Sequence, residues 1–529
     1  MTDISERIPL IKKFKDNTHR RSFSKSNIQK SLFFLVCSLI IIFFIIKLLI
    51  IQPKSIVLPR KKNFIFFVSD GTGPNYLTLA RNYKQYITNG DYGTLLNLDS
   101  HLIGTSRTRS NSSLVTDSAA GATAFSCLLK TYNGAIGVDP FSNPCGTIME
   151  AAKLAGYLTG LVVTTRITDA TPASFSAHVD HRSQEDQIAE QQVNSGMVDL
   201  MIGGGLQHFV KTGRKDGLDL VEQLHSNWTV ANDYIDFFKY YAQSNSTKHD
   251  LLPFMSLFEM GDVPFQVDKD HMDYKGPTLK QEAALALDLL HSSNKNDKGF
   301  FMLIEGSRID HCGHNNDAAC IPREVMAFDE AFEYVKEFAD AHPDEDFILF
   351  STSDHETGGM TISRQVSSDY PDYVWYPEVL NKVKHSGQYI IKELLQRNEI
   401  DKEYIEKDNY VKEDYQNVKT LYKDRNAGKL QDYLNDMVSS RARIGFTTHG
   451  HTAIDVNTYM YANSESLKEY AYKRVGGNNE NTLFGQLVVD FLDLNMTAAN
   501  EYASNVDHKP IANEIQLENV GDMDYHKNI

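Results

Sequence analysis

Residues 346–359 read DFILFSTSDHETGG, an apolar run from Phe347 to Phe350 that turns polar and ends in Asp354 and His355. The same design recurs at residues 63–70, NFIFFVSD, which ends at Asp70, and at residues 299–314, GFFMLIEGSRIDHCGH, which carries Glu305, Asp310, His311 and His314. A fourth run, GLVVTTRITDATP at residues 160–172, ends near Asp169 and Thr171. Short unbroken runs of Val, Ile, Leu and Phe are what parallel strands buried on both faces require. Helical patterns alternate with them, as in MEAAKLAGYL (149–158), LKQEAALALDLLHSS (279–293) and REVMAFDEAFEYVKEFADA (323–341). This alternation predicts a doubly wound α/β fold, a largely parallel central sheet flanked by helices. In such sheets ligands collect beyond the carboxyl ends of the strands. One Asp at a strand end commonly just accepts backbone hydrogen bonds, but four strand ends bearing carboxylates and imidazoles at ligand spacing point to a metal cluster.

Between the first two of these runs along the chain lies VTDSAAGATAF, residues 115–125. Ser118, preceded by Asp117, opens a small-residue helix whose N-terminal N–H groups and dipole favour an anion such as phosphate. Taken alone, Thr116, Asp117 or Ser118 reads as a helix cap. With the carboxylate and imidazole strand ends, Ser118 becomes a candidate nucleophile.

The motifs FFVSDGTGP, VTDSAAGATAF, KTYNGAIGVD, TDATPASFSAHVDHR, EGSRIDHCGH, TSDHETGG and THGHTAIDV follow one another in order between about residues 63 and 495. In these the chain resembles the metal-dependent alkaline phosphatases, in their membrane-anchored fungal vacuolar branch. The resemblance implies hydrolysis of phosphate monoesters, small-molecule and also peptide, through a covalent phosphoserine on Ser118. It implies one zinc held by Asp310, His314 and His451, and a second by Asp70, Asp354 and His355 with the Ser118 oxygen. It implies a magnesium ion among Asp70, Thr171 and Glu305, with Asp169 reaching it directly or through water. Arg182 would grip two phosphate oxygens as a bidentate fork, Asp117 and His311 would stand near the substrate, and Arg166 would be structural. The pattern is mixed: Asp169 and Thr171 resemble the bacterial form, whereas His311 resembles the animal form in which histidine replaces lysine. In TTHGHTAIDV the spacing to Asp455 and Val456 assigns His451 to zinc and His449 to an outer position. A homodimer is also implied. Rival readings are a phosphodiesterase or sulfatase of the same fold group, or a silent membrane-anchored interaction module. No CxPxR-like context surrounds Ser118, as a sulfatase needs, and diesterases usually lack Arg182 and the third metal site.

The remaining features concern placement. From Ser31 to Ile51 the chain reads SLFFLVCSLIIIFFIIKLLII, roughly twenty apolar residues, enough for about 30 Å of helix. A transmembrane span is expected there. Lys12, Lys13, Lys15, Arg20, Arg21, Lys25 and Lys30 precede it, against Lys54, Arg60, Lys61 and Lys62 after it. The positive-inside rule then makes residues 1–30 a cytosolic tail, residues 52–62 a stalk, and residues 63–499 a lumenal catalytic domain. A vacuole membrane is the expected location, type II, with an outward-facing plasma membrane as the alternative. On that side Cys127, Cys145, Cys312 and Cys320 can form disulfides. Local pairs are expected, although four cysteines allow three connectivities. Asn227, Asn245 and Asn495 open glycosylation sequons, and Asn111 is a less favourable fourth. The formal net charge of −16 argues against a nucleic-acid partner and leaves the attraction of phosphate to local cations. Residues 376–440 change to charged helix formers and predict a helical insertion. The tail 500–529, rich in Asn, Asp and Glu, is expected to be loosely attached and open to proteolytic trimming.

Overall fold

A computed structural model describes residues 25–50, 60–224, 227–243, 250–293, 297–397, 412–423 and 425–508. The chain divides into two compact units, Met1–Pro59 and Arg60–Ile529. In the first, a helix spans Lys25–Ile50. Among the described residues no helix is long and apolar enough to cross a membrane. The side chains from residue 44 to the end of that helix, the tail up to residue 24 and the stalk up to residue 59 lie outside the described residues.

The second unit is built on a ten-stranded sheet. Its strands in chain order are β1 (Lys62–Val68), β2 (Leu102–Arg107), β3 (Leu158–Arg166), β4 (Leu200–Gly204), β5 (Thr229–Ala231), β6 (Phe254–Leu257), β7 (Phe300–Glu305) and β8 (Asp346–Thr352), followed later by β13 (Val456–Ala462) and β14 (Gly477–Glu480). Four two-residue strands lie between the last two groups: β9 (Glu356–Thr357), β10 (Thr361–Ile362), β11 (Ile444–Gly445) and β12 (His451–Thr452). Spatial order is β14-β2-β13-β8-β1-β7-β3-β4-β6-β5. All neighbours run parallel except β13, which is antiparallel to both β2 and β8.

The apolar runs form strands because both of their faces are covered. Along β1, Ile65 and Phe67 enter one core, with the helices Pro74–Ile87, Leu279–Ser292 and Cys320–Ala341. Phe64, Phe66 and Val68 enter the other, with the helices Ser118–Cys127, Ile148–Leu154 and Thr482–Leu492. Register then does the positioning: Val68 pairs with Glu305 on one side and Thr352 on the other, and Glu305 pairs with Val163. The carboxyl ends of β1, β3, β7 and β8 therefore finish side by side.

Within 376–440 the described residues form the helices Pro377–Lys382, Gly387–Gln396 and Lys412–Lys423, and a fourth, Ala427–Ala442, runs just past it. Leu380, Ile390, Leu430 and Leu434 join the first core. Polar latches tie this insertion to the turn after His314: Asn435 donates to the Asn315 carbonyl at 2.6 Å, and the Gly387 N–H to Asp317 at 2.9 Å. Disulfides join Cys127 to Cys145 and Cys312 to Cys320, and Cys37 is free.

The first part of the tail corrects an expectation. Residues Met496–Ala503 form a helix capped by Asn495, with Ala499 and Ala503 fully buried. Asn500 accepts from the Gly146 N–H at 2.8 Å, Tyr502 donates to the Ser195 carbonyl and His508 meets Asp180 at 3.0 Å. Residues 500–508 are thus docked, because two alanines one turn apart let the helix lie flat on the body. Residues 509–529 are outside the described residues. A Cβ at Gly146 would stand 2.3 Å from the Ala499 carbonyl carbon and 2.4 Å from the Asn500 nitrogen. Both are backbone atoms and cannot give way separately, so Gly146→Ala is expected to lower stability by about 1–3 kcal/mol. A denaturation midpoint equal to that of the unaltered chain would show that the docked helix contributes nothing.

Candidate active site

Four strand ends and two returning loops supply the site. Asp70 lies two residues beyond β1, Glu305 ends β7, and Asp354 and His355 follow β8. Asp310 and His314 sit one turn apart on the helix Arg308–His314, the i,i+4 spacing that puts two side chains on one face. β12 pairs antiparallel with β9, His451 opposite Thr357, which carries His451 back to the strand ends. Gly71 permits the crowding: its φ is +70° and a Cβ there would lie 2.7 Å from the Asp310 Cα.

The side chains converge in two adjoining groups. His314 Nε2 is 3.2 Å from Asp310 Oδ2 and 3.0 Å from His451 Nε2. His355 Nε2 is 3.2 Å from Asp354 Oδ2, 3.6 Å from Asp70 Oδ1 and 3.1 Å from Ser118 Oγ. The His355 and His451 rings stack at 3.5 Å between centroids, so the groups share a wall. Asp310, His355 and His451 each place a ligand atom within 4.8 Å of the others, and so do Asp70, Asp354 and His355.

Each imidazole has its other nitrogen engaged. His314 Nδ1 donates to the His449 carbonyl, His451 Nδ1 to the Thr116 carbonyl at 2.8 Å, and His355 Nδ1 to Thr357 Oγ1 at 3.2 Å. Thr357 in turn donates to Asp310 Oδ1. With Nδ1 as the donor, the neutral form of each ring turns its Nε2 lone pair inward, the outer-shell arrangement that metal-ligating histidines show. His314 and His451 then point two lone pairs at one another, which a cation between them reconciles.

Of the oxygens expected to hold a third ion, Asp70 Oδ1, Thr171 Oγ1 and Glu305 Oε2 are buried without hydrogen-bond partners. Burial, then the charges of Asp354, Asp310, Glu305 and Asp169, push the Asp70 carboxyl well above its ordinary range. Burial likewise pushes Glu305 up to about 8, with Asp169 and Asp354 adding to it. Buried carboxylates this close hold their charge only with cations among them. Mixed N and O donors suit zinc at the two imidazole groups, and the all-oxygen third group suits magnesium. The residues present fit both. Cys312, Cys320 and Glu324 also cluster, but the two sulfurs are bonded to each other, so no thiolate is on offer.

Ser118 begins its helix and Asp117 caps it, Oδ1 accepting from the Ala120 N–H at 2.9 Å. Cap and candidate nucleophile are therefore adjacent residues, so the observed cap leaves Ser118 available for the other role. Asp117 Oδ2 accepts from the Gly134 N–H at 2.9 Å and lies 3.5 Å from Arg182 Nη1. Arg182 Nη2 donates to Asp169 Oδ1 at 3.1 Å, so two carboxylates aim the guanidinium beside Ser118. His311 Nδ1 accepts from Arg308 Nη1 at 2.6 Å. Burial, then the Arg308 charge, lowers His311 to about 4, which makes it a neutral imidazole near neutral pH. The His449 side chain, about half exposed, donates from Nδ1 to the His314 carbonyl at 2.7 Å and faces Asp432 outside the inner group.

Sequence reasoning passed over Thr357 and Asp262, and read Arg166 as a structural arginine. Arg166 pairs with Asp169, Glu185 and Asp262. Asp262 follows the apolar run of β6 in FMSLFEMGD, the same apolar-to-acidic design as the other strand ends, and that signal was available. Thr357 carries no such signal, because its role depends on two side chains from separate segments.

The alkaline phosphatase family profile matches residues 61–494. The chain is 49% identical over 498 residues to the repressible alkaline phosphatase of Saccharomyces cerevisiae, covering 86% of this chain and 87% of that protein. Among solved structures, the cold-active alkaline phosphatase of the psychrophile Shewanella sp. matches with a TM-score of 0.68 at 28% identity, over 81% of this chain and 99% of that one. A variant alkaline phosphatase of the Antarctic bacterium TAB5, with Mg bound in its M3 site, matches with a TM-score of 0.57 at 28% identity, over 82% and 99%.

Proposed function

The chain belongs to the alkaline phosphatase family, and from that premise we propose that it hydrolyses phosphate monoesters through a phosphoserine on Ser118, with two zinc ions and one magnesium ion. The observation that carries this reading is Ser118 Oγ at 3.1 Å from His355 Nε2, at the edge of the two imidazole–carboxylate groups. Zinc would be held by Asp310, His314 and His451 and by Asp70, Asp354 and His355, and magnesium by Asp70, Thr171, Glu305 and Asp169. When bound, these ions supply acidity to a coordinated hydroxyl or water and offset charge on the phosphoryl and leaving oxygens.

The chain's own groups do the rest. The helix N-terminus at Ser118 directs N–H groups toward the phosphate. Arg182, aimed by Asp117 and Asp169, grips two phosphoryl oxygens and leaves phosphorus in line with Ser118 Oγ. The Oγ–P bond forms as the ester P–O bond breaks and the alcohol departs. Water then attacks phosphorus, the Ser118–P bond breaks, and inorganic phosphate is released. His311, neutral, offers a hydrogen bond where a lysine would add a charge.

We also infer that the apolar run Ser31–Ile51 anchors the chain with its N-terminus in the cytosol and the catalytic unit in a lumen, at the vacuole membrane, with the plasma membrane as the alternative. The apolar run, the distribution of Lys and Arg around it and the two disulfides support this placement. A homodimer and glycans on the sequons belong to the same reading.

The test is an assay of the purified catalytic unit against a phosphate monoester, a phosphate diester and a sulfate ester. Monoester turnover well above the other two is expected. Preference for the diester or the sulfate would replace the assignment, and inactivity on all three with metal bound would make the chain a silent module.

A further inference from the structure

Asp262, with 12% of its side chain exposed, lies between two guanidiniums. Its Oδ1 accepts from the Arg166 backbone N–H at 3.2 Å and from Arg166 Nη1 at 2.6 Å, and its Oδ2 accepts from Arg308 Nη1 at 2.7 Å. Each arginine reaches a different part of the site. Arg166 Nη2 lies 3.3 Å from Asp169 Oδ2, and Asp169 in turn holds Arg182 through Oδ1. Arg308 Nη1 lies 2.6 Å from His311 Nδ1, while its guanidinium stacks over the Phe265 ring at 3.7 Å. The result is a continuous chain from Arg182 through Asp169, Arg166, Asp262 and Arg308 to His311, joining two residues expected near the phosphate.

We propose that Asp262 is a positioning residue that sets the charge balance of the active site, holding Arg166 and Arg308 back so that a divalent cation and a phosphate dianion are both bound at the far end of the site. The proposal rests on the phosphatase reading above. Its physical core is a difference in sign. Converting Asp262 to a neutral amide of the same shape leaves this group one unit more positive, in direct contact with Asp169 of the expected magnesium set. That excess opposes a divalent cation and favours a phosphate dianion. A residue that only kept the fold together would weaken both ligands when removed.

The experiment uses zinc-loaded full chain, with Mg2+ binding followed by titration calorimetry and inorganic phosphate binding by equilibrium dialysis. Asp262→Asn is expected to weaken Mg2+ by about 10- to 100-fold, the range for losing an outer-shell partner, while tightening phosphate several-fold. Arg308→Gln, which removes a cation, should move both the opposite way, and the double variant should return Mg2+ affinity toward that of the unaltered chain. Arg308→Gln also decides the matter should Asp262→Asn fail to fold. Mg2+ and phosphate weakening together, or neither changing, beside an unaltered chain that binds both, overturns the positioning role. An unaltered chain that binds neither overturns the phosphatase reading, and this proposal with it.

Discussion

Ser118→Ala yields a folded protein whose turnover of a phosphate monoester falls by on the order of 10^4-fold and which no longer retains phosphate after acid quench. The size follows from the surroundings. Ser118 Oγ is the hydroxyl that stands 3.1 Å from His355 Nε2 at the mouth of the helix, and an alanine there leaves only water to attack phosphorus. Folding should survive, because the Asp117 cap and the buried alanines of the helix are unchanged. Rapid-quench labelling with radioactive substrate checks it. Label trapped on another residue, or turnover equal to that of the unaltered chain, would move the nucleophile elsewhere.

His451→Ala is expected to lose about one zinc per chain and nearly all activity, whereas His449→Ala keeps its metal under saturating zinc. His451 Nε2 stands 3.0 Å from His314 Nε2 with its Nδ1 tied to the Thr116 carbonyl, so its removal opens a coordination position. His449 steadies His314 mainly through its main-chain carbonyl, which alanine retains. The donation from His449 Nδ1 to the His314 carbonyl and the outward contacts with Asn316 and Asp432 are lost, outer contacts whose loss costs at most about 10- to 100-fold in affinity or activity. Metal content of the two purified variants decides between them. Full zinc in His451→Ala with depletion in His449→Ala would exchange the two roles.

What could be read without coordinates was what local pattern controls. Parallel strands buried on both faces must be apolar, and adjacent strands in register end together, so Asp70, Glu305 and Asp354 announced a shared edge. The one-turn spacing of Asp310 and His314 needed only a helix. Contacts made by tertiary approach left no such trace. Thr357 bridges Asp310 and His355 from a two-residue strand; Asp262 stood at a legible strand end, but the arginines it meets come from two other segments. The docked C-terminal helix was missed because the face it buries is Ala499 and Ala503, too small to register as an apolar stripe among polar neighbours.

The antiparallel strand β13 carries a consequence for the order in which the protein matures. It lies between β8 and β2 and is the bridge through which β2 and β14 join the rest of the sheet. Asp70 leaves the ribosome nearly four hundred residues before the His451 segment and β13. Pairings this distant along the chain are slow to close. A ribosome stalled between residues 355 and 451 would therefore hold a nascent chain with Asp70, Glu305, Asp310 and Asp354 made but His451 missing from the imidazole–carboxylate group, so the group is completed in a single late step rather than accumulated during translation.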